Sequence, residues 1–227
     1  IYDDRFLWTK GPMAALVVFG DFSVILTDFE WHVICRQVLD FKVNVSSIQT
    51  VKLLFKHDFL VIPVKESCEP AYISAMSVNT SKLVFNLSVT YPERPDIMKD
   101  FHICQGPTFA SNEKKLFDQS SFISWVEMHR ILGVSHITMY NYTIPKDWYK
   151  ALWYYHSKGI IDIYQTGPIN DNDFYVYRQQ HMHISECMYR NMYRFKWTLA
   201  IDLDELILPR QAWNYSDLMN EIAQYYK

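Results

Sequence analysis

The chain contains the segment Trp197-Thr-Leu-Ala-Ile-Asp-Leu-Asp-Glu-Leu-Ile-Leu-Pro209, in which an apolar run leads directly into three carboxylates. The run 197–201 predicts a buried strand, with Trp197 in the core. In parallel α/β sheets, ligands bind outside the carboxyl ends of the strands. Asp202, Asp204 and Glu205 therefore follow the strand at the point where a binding site is expected.

Asp202 and Asp204 are predicted to bind one divalent cation together. If the extended backbone continues, alternation makes both side chains project to the same side. Two like charges at close range repel by about 1 kcal/mol in water and several-fold more inside a protein, so a cation would stabilise the pair. Carboxylate oxygens suit Mg²⁺ or Mn²⁺, which usually complete their coordination with substrate phosphates. The alternative interpretation is an acidic surface turn.

Strands and helices are predicted to alternate before this segment, which is typical of βαβ units and a mostly parallel sheet. The first helix has a capping-box pattern at Ser124–Glu127 near its start and Gly133 as its stop, and the second stops at Gly159. The predicted order is strand 101–104, helix 120–132, strand 134–140, helix 145–158, strand 160–164, helix 174–195 and strand 197–201.

The first 90 residues show the period of β-strands instead. Apolar residues alternate with polar ones over 82–91, and Trp31, Val33 and Cys35 alternate similarly. A small antiparallel sheet or sandwich is therefore expected. The Pro-rich and charged stretch after Tyr91 marks the boundary, so the prediction is an α/β chain with a β-rich accessory domain over 1–97 and a second domain over 98–227.

Composition limits the function classes. The chain is 49% hydrophobic and 21% charged, with a net charge of −3. It therefore lacks the surplus of basic residues that is typical of nucleic-acid-binding proteins. No apolar run reaches the roughly 18 residues of a membrane span. The chain begins at Ile1 without a signal peptide, and we therefore expect an excised region whose membrane anchor lies upstream.

Glycosylation sequons and cysteines indicate an oxidising compartment. Five of the ten Asn residues begin a sequon, whereas ordinary Ser and Thr usage predicts roughly one in eight. The sequons begin at Asn44, Asn79, Asn86, Asn141 and Asn214. The four cysteines lack CxxC spacing and permit three pairings, of which Cys35–Cys68 with Cys104–Cys187 suits two separate domains. Four buried free thiols are the alternative.

Several segments together resemble glycosyltransferase family 92. They occur in the order of that family along nearly the whole chain. The matching pieces are Tyr2-Asp-Asp-Arg5, Phe101-His-Ile-Cys104 with Pro107, Trp125-Val-Glu-Met-His-Arg-Ile-Leu-Gly133, Met139-Tyr140, Cys187-Met-Tyr-Arg190, Lys196-Trp197 and Asp202-Leu-Asp-Glu205 with Pro209. The match of Cys104 and Cys187 to the cysteines of the family supports their pairing.

The resemblance implies a GT-A (Rossmann-like) fold, a UDP-sugar donor such as UDP-galactose, Mn²⁺, and inversion at the anomeric carbon. It also implies a glycan acceptor and a Golgi membrane protein whose enzyme domain faces the lumen. Asp202 and Asp204 match the Asp-x-Asp motif of GT-A enzymes. By this match Asp204 ligates the metal directly, and Asp202 contacts the ribose or a metal-bound water.

Further donor-binding candidates are Glu205, Arg190 and Asn141, which stands where the family often has an acidic residue. The catalytic base is expected beyond Lys227, in the part of a GT-A domain that binds the acceptor, so the chain is expected to hold an incomplete domain. One alternative function is a non-catalytic secreted carbohydrate-binding relative. Another is a metal phosphatase that uses Asp202 as its nucleophile.

Other polar residues have simpler interpretations. Glu127, His129 and Arg130 on the first helix are expected to form a local charge network more readily than a catalytic set. His181 and His183 lie two apart on a helix and point away from each other, which argues against a shared metal. Sugars on Asn141 or Asn214 would obstruct the expected site, so these two sequons are expected to stay unmodified.

Overall fold

The computed structural model describes residues 13–19, 26–37, 39–52, 57–109, 118–166 and 173–226. Contacts between Cα atoms divide the chain into two compact units, Ile1–Tyr91 and Pro92–Lys227. Antiparallel strands form the first unit, and a parallel sheet with helices forms the second. The predicted α/β class, with its antiparallel part first, is therefore confirmed.

The first unit is a sandwich of two antiparallel sheets, with strand orders β1-β5-β4 and β3-β2-β6-β7. Its strands are β1 (Met13–Phe19), β2 (Phe29–Cys35), β3 (Phe41–Val43), β4 (Gln49–Lys52), β5 (His57–Pro63), β6 (Pro70–Ser77) and β7 (Leu83–Ser88). One core takes Trp31 and Val33 from one sheet and Leu60 and Ile62 from the other. The disulfide Cys35–Cys68 lies in the same core.

Strand β7 confirms the strand that the alternation over 82–91 predicts. Phe85 and Val89 pack against the core. However, Leu83 is 60% exposed and Leu87 is 45% exposed, so the alternating apolar residues do not form a fully buried face. The strand pairs only with β6 among the described strands, which explains why much of it remains accessible.

The second unit is a four-stranded parallel sheet of order β10-β9-β8-β11. Its elements are β8 (Lys99–Phe109), α1 (Gln119–Ile131), β9 (Val134–Thr143), α2 (Tyr149–Ser157), β10 (Ile161–Gln165), α3 (Asp173–Asn191), β11 (Phe195–Ala200) and α4 (Tyr215–Tyr225). Strands β8, β9 and β10 follow one another outward, and α3 then returns the chain so that β11 pairs on the other side of β8. The strand order therefore reverses between β8 and β11.

Side chains of β8 and β9 alternate between the two faces of this sheet. Phe101, Ile103 and Ile137 join a core with residues of α1, α2 and α4. Cys104 faces the opposite side, where its disulfide to Cys187 ties β8 to α3. The alternation of side chains in the sequence thus places them in two packed layers, one on each face of the sheet. The disulfides Cys35–Cys68 and Cys104–Cys187 confirm the pairing predicted for two separate domains.

The helix ends confirm some signals and correct others. Asp118, not Ser124, caps α1, because its carboxylate accepts a hydrogen bond from the backbone N–H of Ser121 at 2.8 Å. The predicted capping box at Ser124–Glu127 is therefore wrong. Gly133 and Gly159 end their helices with φ of 105° and 67°, a region that glycine adopts without strain. Helix α3 ends at Asn191 rather than 195.

Strand β11 is less buried than its sequence predicts. Trp197 is 42% exposed, so its placement in the core is wrong, and so is the prediction of a buried strand. In the described sheet β11 pairs only with β8, which leaves one long edge accessible. Among the described helices, none combines the length and the apolar character that crossing a bilayer requires.

Candidate functional site

The acidic segment forms a turn rather than a continuation of β11. The strand ends at Ala200, and the backbone N–H of Glu205 donates to the Asp202 carbonyl at 3.1 Å. The Glu205 carboxylate in turn accepts a hydrogen bond from the Asp202 backbone N–H at 3.0 Å. Strand alternation therefore does not set the directions of Asp202 and Asp204, and the two carboxylates have different surroundings.

This turn lies at the reversal of the strand order. Ala200, the last paired residue of β11, is opposite Cys104 of β8. Asp202 lies two residues after Ala200, and Gly106 lies two residues after Cys104. In open α/β sheets such a reversal opens a crevice at the carboxyl ends of the strands, and ligands bind there. The topology thus supports the expectation that the acidic residues lie at a binding site.

The Asp202 carboxylate is half-buried and bonded to helix α3. Gln180 Nε2 donates to Asp202 Oδ1 at 2.8 Å. Burial raises the pKa of Asp202 above its ordinary value; the Gln180 hydrogen bond opposes this shift, and the negative charges of Glu205 and Asp204 add to it. A cation bound here would relieve that like-charge repulsion.

Asp204 is exposed and lines a shallow cavity of about 370 Å³ between the turn and α1. The cavity has both hydroxyl and apolar surface. Its lining residues are Ser120, Ser121, Ser124, Trp125, Met128, Leu203, Asp204, Glu205 and Leu206. Asp202 is thus bonded to one helix while Asp204 faces the groove beside another.

Helix α1 binds the backbone of the turn. Trp125 Nε1 donates to the Glu205 carbonyl at 3.0 Å, and His129 Nε2 approaches the same oxygen at 3.4 Å. Because a carbonyl only accepts, the Nε2 of His129 carries the proton and its Nδ1 accepts from the Tyr215 hydroxyl at 3.1 Å. Burial lowers the pKa of His129, consistent with this neutral form. These contacts fix the turn through its main chain.

Glu127 and Arg130 do form a local network. Arg130 Nη1 donates to both carboxylate oxygens of Glu127 at 2.8 and 2.9 Å, and the Tyr155 hydroxyl donates to the same carboxylate at 2.8 Å. His129 lies apart from this pair and is fully buried against the turn. Of the three residues, His129 is therefore the one connected to the site.

Asn141 lies at the same edge of the sheet, at the carboxyl end of β9, where it pairs with Gln165 of β10. Its Nδ2 donates to Gln165 Oε1 at 2.8 Å, and its Oδ1 accepts from the Ile144 backbone N–H at 2.9 Å. The side chain therefore already supports the loop after β9. Asn141 stays a donor-binding prediction on its position alone.

Arg190 is placed away from the acidic turn. It forms an ion pair with Glu186 and lies over the Tyr164 ring, 4.4 Å from the centroid. It follows Gln180 by ten residues on α3, which corresponds to roughly 15 Å along the helix. The structure brings Asp202, Asp204 and Glu205 together in one turn, but it does not bring Arg190 to them.

The turn offers hard oxygen ligands of the kind that Mn²⁺ and Mg²⁺ bind. Among the described residues, the group of three His, Cys, Asp or Glu whose ligand atoms converge within 4.8 Å is His102, Cys104 and Cys187. Its two sulfurs are joined in a disulfide, so this group is not a metal site here. The carboxylates of the turn fit a hard divalent cation by their chemistry, with substrate phosphates and water completing the coordination.

The residues that support the turn show little signal in the sequence. The helical spacing of residues around Gln180 does not mark it as a site residue. Gly106 is more informative, because a glycine inside a strand often marks a place where another group approaches the backbone closely. Trp125 and Tyr215 carry no pattern of a site residue, because an indole or a phenol usually belongs to the core. Trp125 bonds the turn directly and Tyr215 bonds it only through His129, and both contacts join residues far apart in sequence.

Comparison with known proteins agrees with this arrangement. The sequence model of glycosyltransferase family 92 matches residues 99–227, which include the whole parallel sheet and the acidic turn. No curated protein and no solved structure shows a significant match. The matched region covers more than half of the chain, and the chain therefore belongs to glycosyltransferase family 92.

Proposed function

We propose that the protein transfers a sugar from a UDP-sugar to a hydroxyl group of a glycan, with Mn²⁺ as the cofactor. Family membership supports glycosyl transfer. The resemblance to the family implies UDP-galactose as the donor. The observation that carries the proposal is the acidic turn 202–205 at the point where the strand order reverses between β8 and β11.

In this proposal Asp204 ligates the metal directly, and Asp202 contacts the donor ribose or a metal-bound water. Bound Mn²⁺ would neutralise negative charge on the diphosphate and on the departing UDP. Glu205 contributes by accepting the Asp202 backbone N–H, and its own carbonyl is bound by Trp125. In this proposal these contacts hold the main chain of the turn, and the carboxylates of Asp202 and Asp204 meet the ligands.

The proposed reaction is a displacement with inversion. The acceptor oxygen forms a bond to the anomeric carbon from the face opposite the diphosphate. The bond from that carbon to the UDP oxygen breaks, and UDP leaves with the electron pair. The acceptor hydroxyl proton passes to a carboxylate base. The residues assigned here serve the departing group, and the base is not among them.

We also propose the lumen of the Golgi as the site of action, with the protein attached to the membrane; secretion is the alternative. Two disulfides indicate an oxidising compartment. The sequon residues Asn44, Asn79 and Asn86 are exposed, as glycosylation requires. Each of these features supports passage through the secretory pathway.

The direct experiment measures UDP released from UDP-galactose and other UDP-sugars, with glycan acceptors and Mn²⁺, by the full-length protein. Asp204→Ala should lower turnover on the order of a hundredfold while secretion is retained. Asp147→Ala, at an exposed carboxylate in the same unit, is the matched control and should be neutral. Unchanged turnover in Asp204→Ala would contradict the metal role. A wild type that binds a glycan but neither turns over nor binds UDP would favour the non-catalytic relative.

A further inference from the structure

Gln180 links helix α3 to the acidic turn across strand β8. Its Nε2 donates to Asp202 Oδ1 at 2.8 Å. Because an ionised carboxylate only accepts hydrogen bonds, the Gln180 amide must present its NH₂ group to Asp202. This bond fixes one oxygen of the carboxylate. In the described part of the chain no hydrogen bond reaches the other oxygen, Oδ2, which is then free to meet a ligand.

Gly106 provides the space through which Gln180 reaches the turn. A Cβ atom at this position would lie 2.9 Å from Gln180 Cγ and 3.3 Å from Nε2, closer than side chains ordinarily pack. The φ of Gly106 is outside the left-handed region, so the backbone itself does not require glycine. Glycine is therefore required at this position because a larger residue would leave no space for the Gln180 side chain. The register of β8 also shifts between Cys104 and Pro107, next to this contact.

The position of this contact distinguishes it from ordinary packing. Asp202 and Gly106 each lie two residues beyond the last pair between β11 and β8, Ala200 with Cys104. Gln180 is seven residues before Cys187, whose disulfide to Cys104 fixes α3 against β8. The disulfide thus sets the helix close to the strand, and the missing side chain at Gly106 lets one amide pass to the acidic turn.

We propose that Gln180 is a positioning residue that orients the Asp202 carboxylate for the metal-bound nucleotide, and that Gly106 is required because it leaves room for Gln180. The inference rests on the proposed function of the acidic turn. A carboxylate that is free to rotate loses conformational entropy when it binds a ligand. Removal of the Gln180 hydrogen-bond donor should therefore weaken ligand binding. Gln180 itself is expected to touch neither metal nor nucleotide.

The test is titration calorimetry of UDP in the presence of Mn²⁺, with the whole chain. Gln180→Met keeps the length and volume of the side chain but removes the donor, so packing over Gly106 is retained. We expect about tenfold weaker UDP binding, as for a lost hydrogen bond to a charged group. Gln37→Met is the matched control, because Gln37 also bonds a carboxylate, that of Glu69, at 3.3 Å on an exposed surface. It should leave UDP binding unchanged.

A double-mutant cycle tests the role of Gly106. Gly106→Ala should weaken UDP binding in the wild-type background by forcing Gln180 to move. In the Gln180→Ala background, where the obstructing side chain is gone, the same substitution should have no further effect. Thermal unfolding of the four proteins without ligand should show the same non-additivity, which reports the contact itself.

Three outcomes would count against the inference. Equal UDP affinity in Gln180→Met and wild type would contradict the positioning role alone. A Gly106→Ala loss that persists in the Gln180→Ala background would show that Gly106 acts by another route. A wild type that binds no UDP with Mn²⁺ would contradict the proposed function, and the positioning role would fall with it. Tenfold weakening with a neutral Gln37→Met control supports the inference.

Discussion

The indole N–H of Trp125 donates a hydrogen bond of 3.0 Å to the backbone carbonyl of Glu205, 80 positions later in the chain. This contact joins helix α1 to the turn that carries Asp202 and Asp204. His129, one helical turn further along α1, approaches the same carbonyl. The turn is therefore fixed through its main chain by α1, while the Asp204 carboxylate remains exposed.

Replacing Trp125 by Phe should destabilise the protein by about 1 kcal/mol, because the substitution removes the donor from a partly buried hydrogen bond. UDP affinity should fall as well, since the acidic turn would lose one of its attachments. Chemical denaturation and calorimetry measure the two effects. Trp148→Phe is the control: the Trp148 side chain is buried and, in the described residues, its Nε1 has no hydrogen-bond partner. If Trp148→Phe lowered UDP affinity as much as Trp125→Phe, the attachment through Glu205 would be wrong.

The buried His102 predicts how stability depends on pH. Burial lowers the pKa of His102 well below its ordinary value of 6.5, and the charges of His136 and Arg194 lower it further, while Asp162 opposes them. Below pH 6.5 the unfolded chain binds a proton at this position that the folded chain does not. The free energy of unfolding should therefore fall as the pH decreases from 6.5 toward the folded pKa.

Denaturant titrations between pH 7.5 and roughly pH 5 would measure this dependence. His102→Gln cannot take up the proton and should show a shallower decrease than the wild type over the same range. Thr138 Oγ1 lies 2.9 Å from His102 Nε2, and because a hydroxyl can donate or accept, it offers the glutamine amide a hydrogen-bond partner. Equal slopes in the two proteins would show that other groups cause the acid sensitivity.

Local and periodic features of the fold could be predicted from the sequence. Gly133 predicted the end of α1 because few other residues adopt its φ of 105°. Trp31 and Val33 predicted the inward face of β2, since alternation in a strand transfers directly to burial. The position of the three carboxylates after β11 could be predicted because they follow an apolar run, but the turn that they form replaces the predicted extended backbone.

Features that depend on the neighbours of an element could not be predicted. Trp197 looked like a core residue, but β11 is an edge strand in the described sheet and leaves it exposed. Ser124 matched a capping pattern, yet Asp118 made the stronger cap six residues earlier. The contact of Gln180 with Asp202 could not be predicted because it depends on β8 and the turn, which meet only after folding.

The Cys104–Cys187 disulfide should contribute strongly to stability. It closes a segment with a sequence separation of 83, for which loop-closure entropy gives roughly 4 to 5 kcal/mol. The Cys35–Cys68 disulfide spans 33 and should contribute about 0.8 kcal/mol less. Paired Cys→Ala variants, one for each disulfide, measured by denaturation would test this order. A larger loss from the Cys35 and Cys68 pair would contradict it.

Glycosylation should be selective among the five sequons. Asn79 and Asn86 are exposed and should carry glycans, as should Asn44. Asn141 uses its Nδ2, the atom that would carry the sugar, to bond Gln165, and Asn214 is half-buried, so both should stay unmodified. Mass spectrometry of peptides after enzymatic deglycosylation identifies each modified Asn. A glycan on Asn141 would contradict its structural role.

The most direct test of the proposed donor site is calorimetric titration of UDP into the protein with and without Mn²⁺, for the wild type and for Asp204→Ala. The acidic turn at the strand reversal predicts that the wild type binds UDP only with the metal present. It also predicts that Asp204→Ala loses this binding while unfolding at nearly the same temperature. Metal-independent UDP binding, or unchanged affinity in Asp204→Ala, would contradict the assignment of the turn as the site of the metal and the diphosphate.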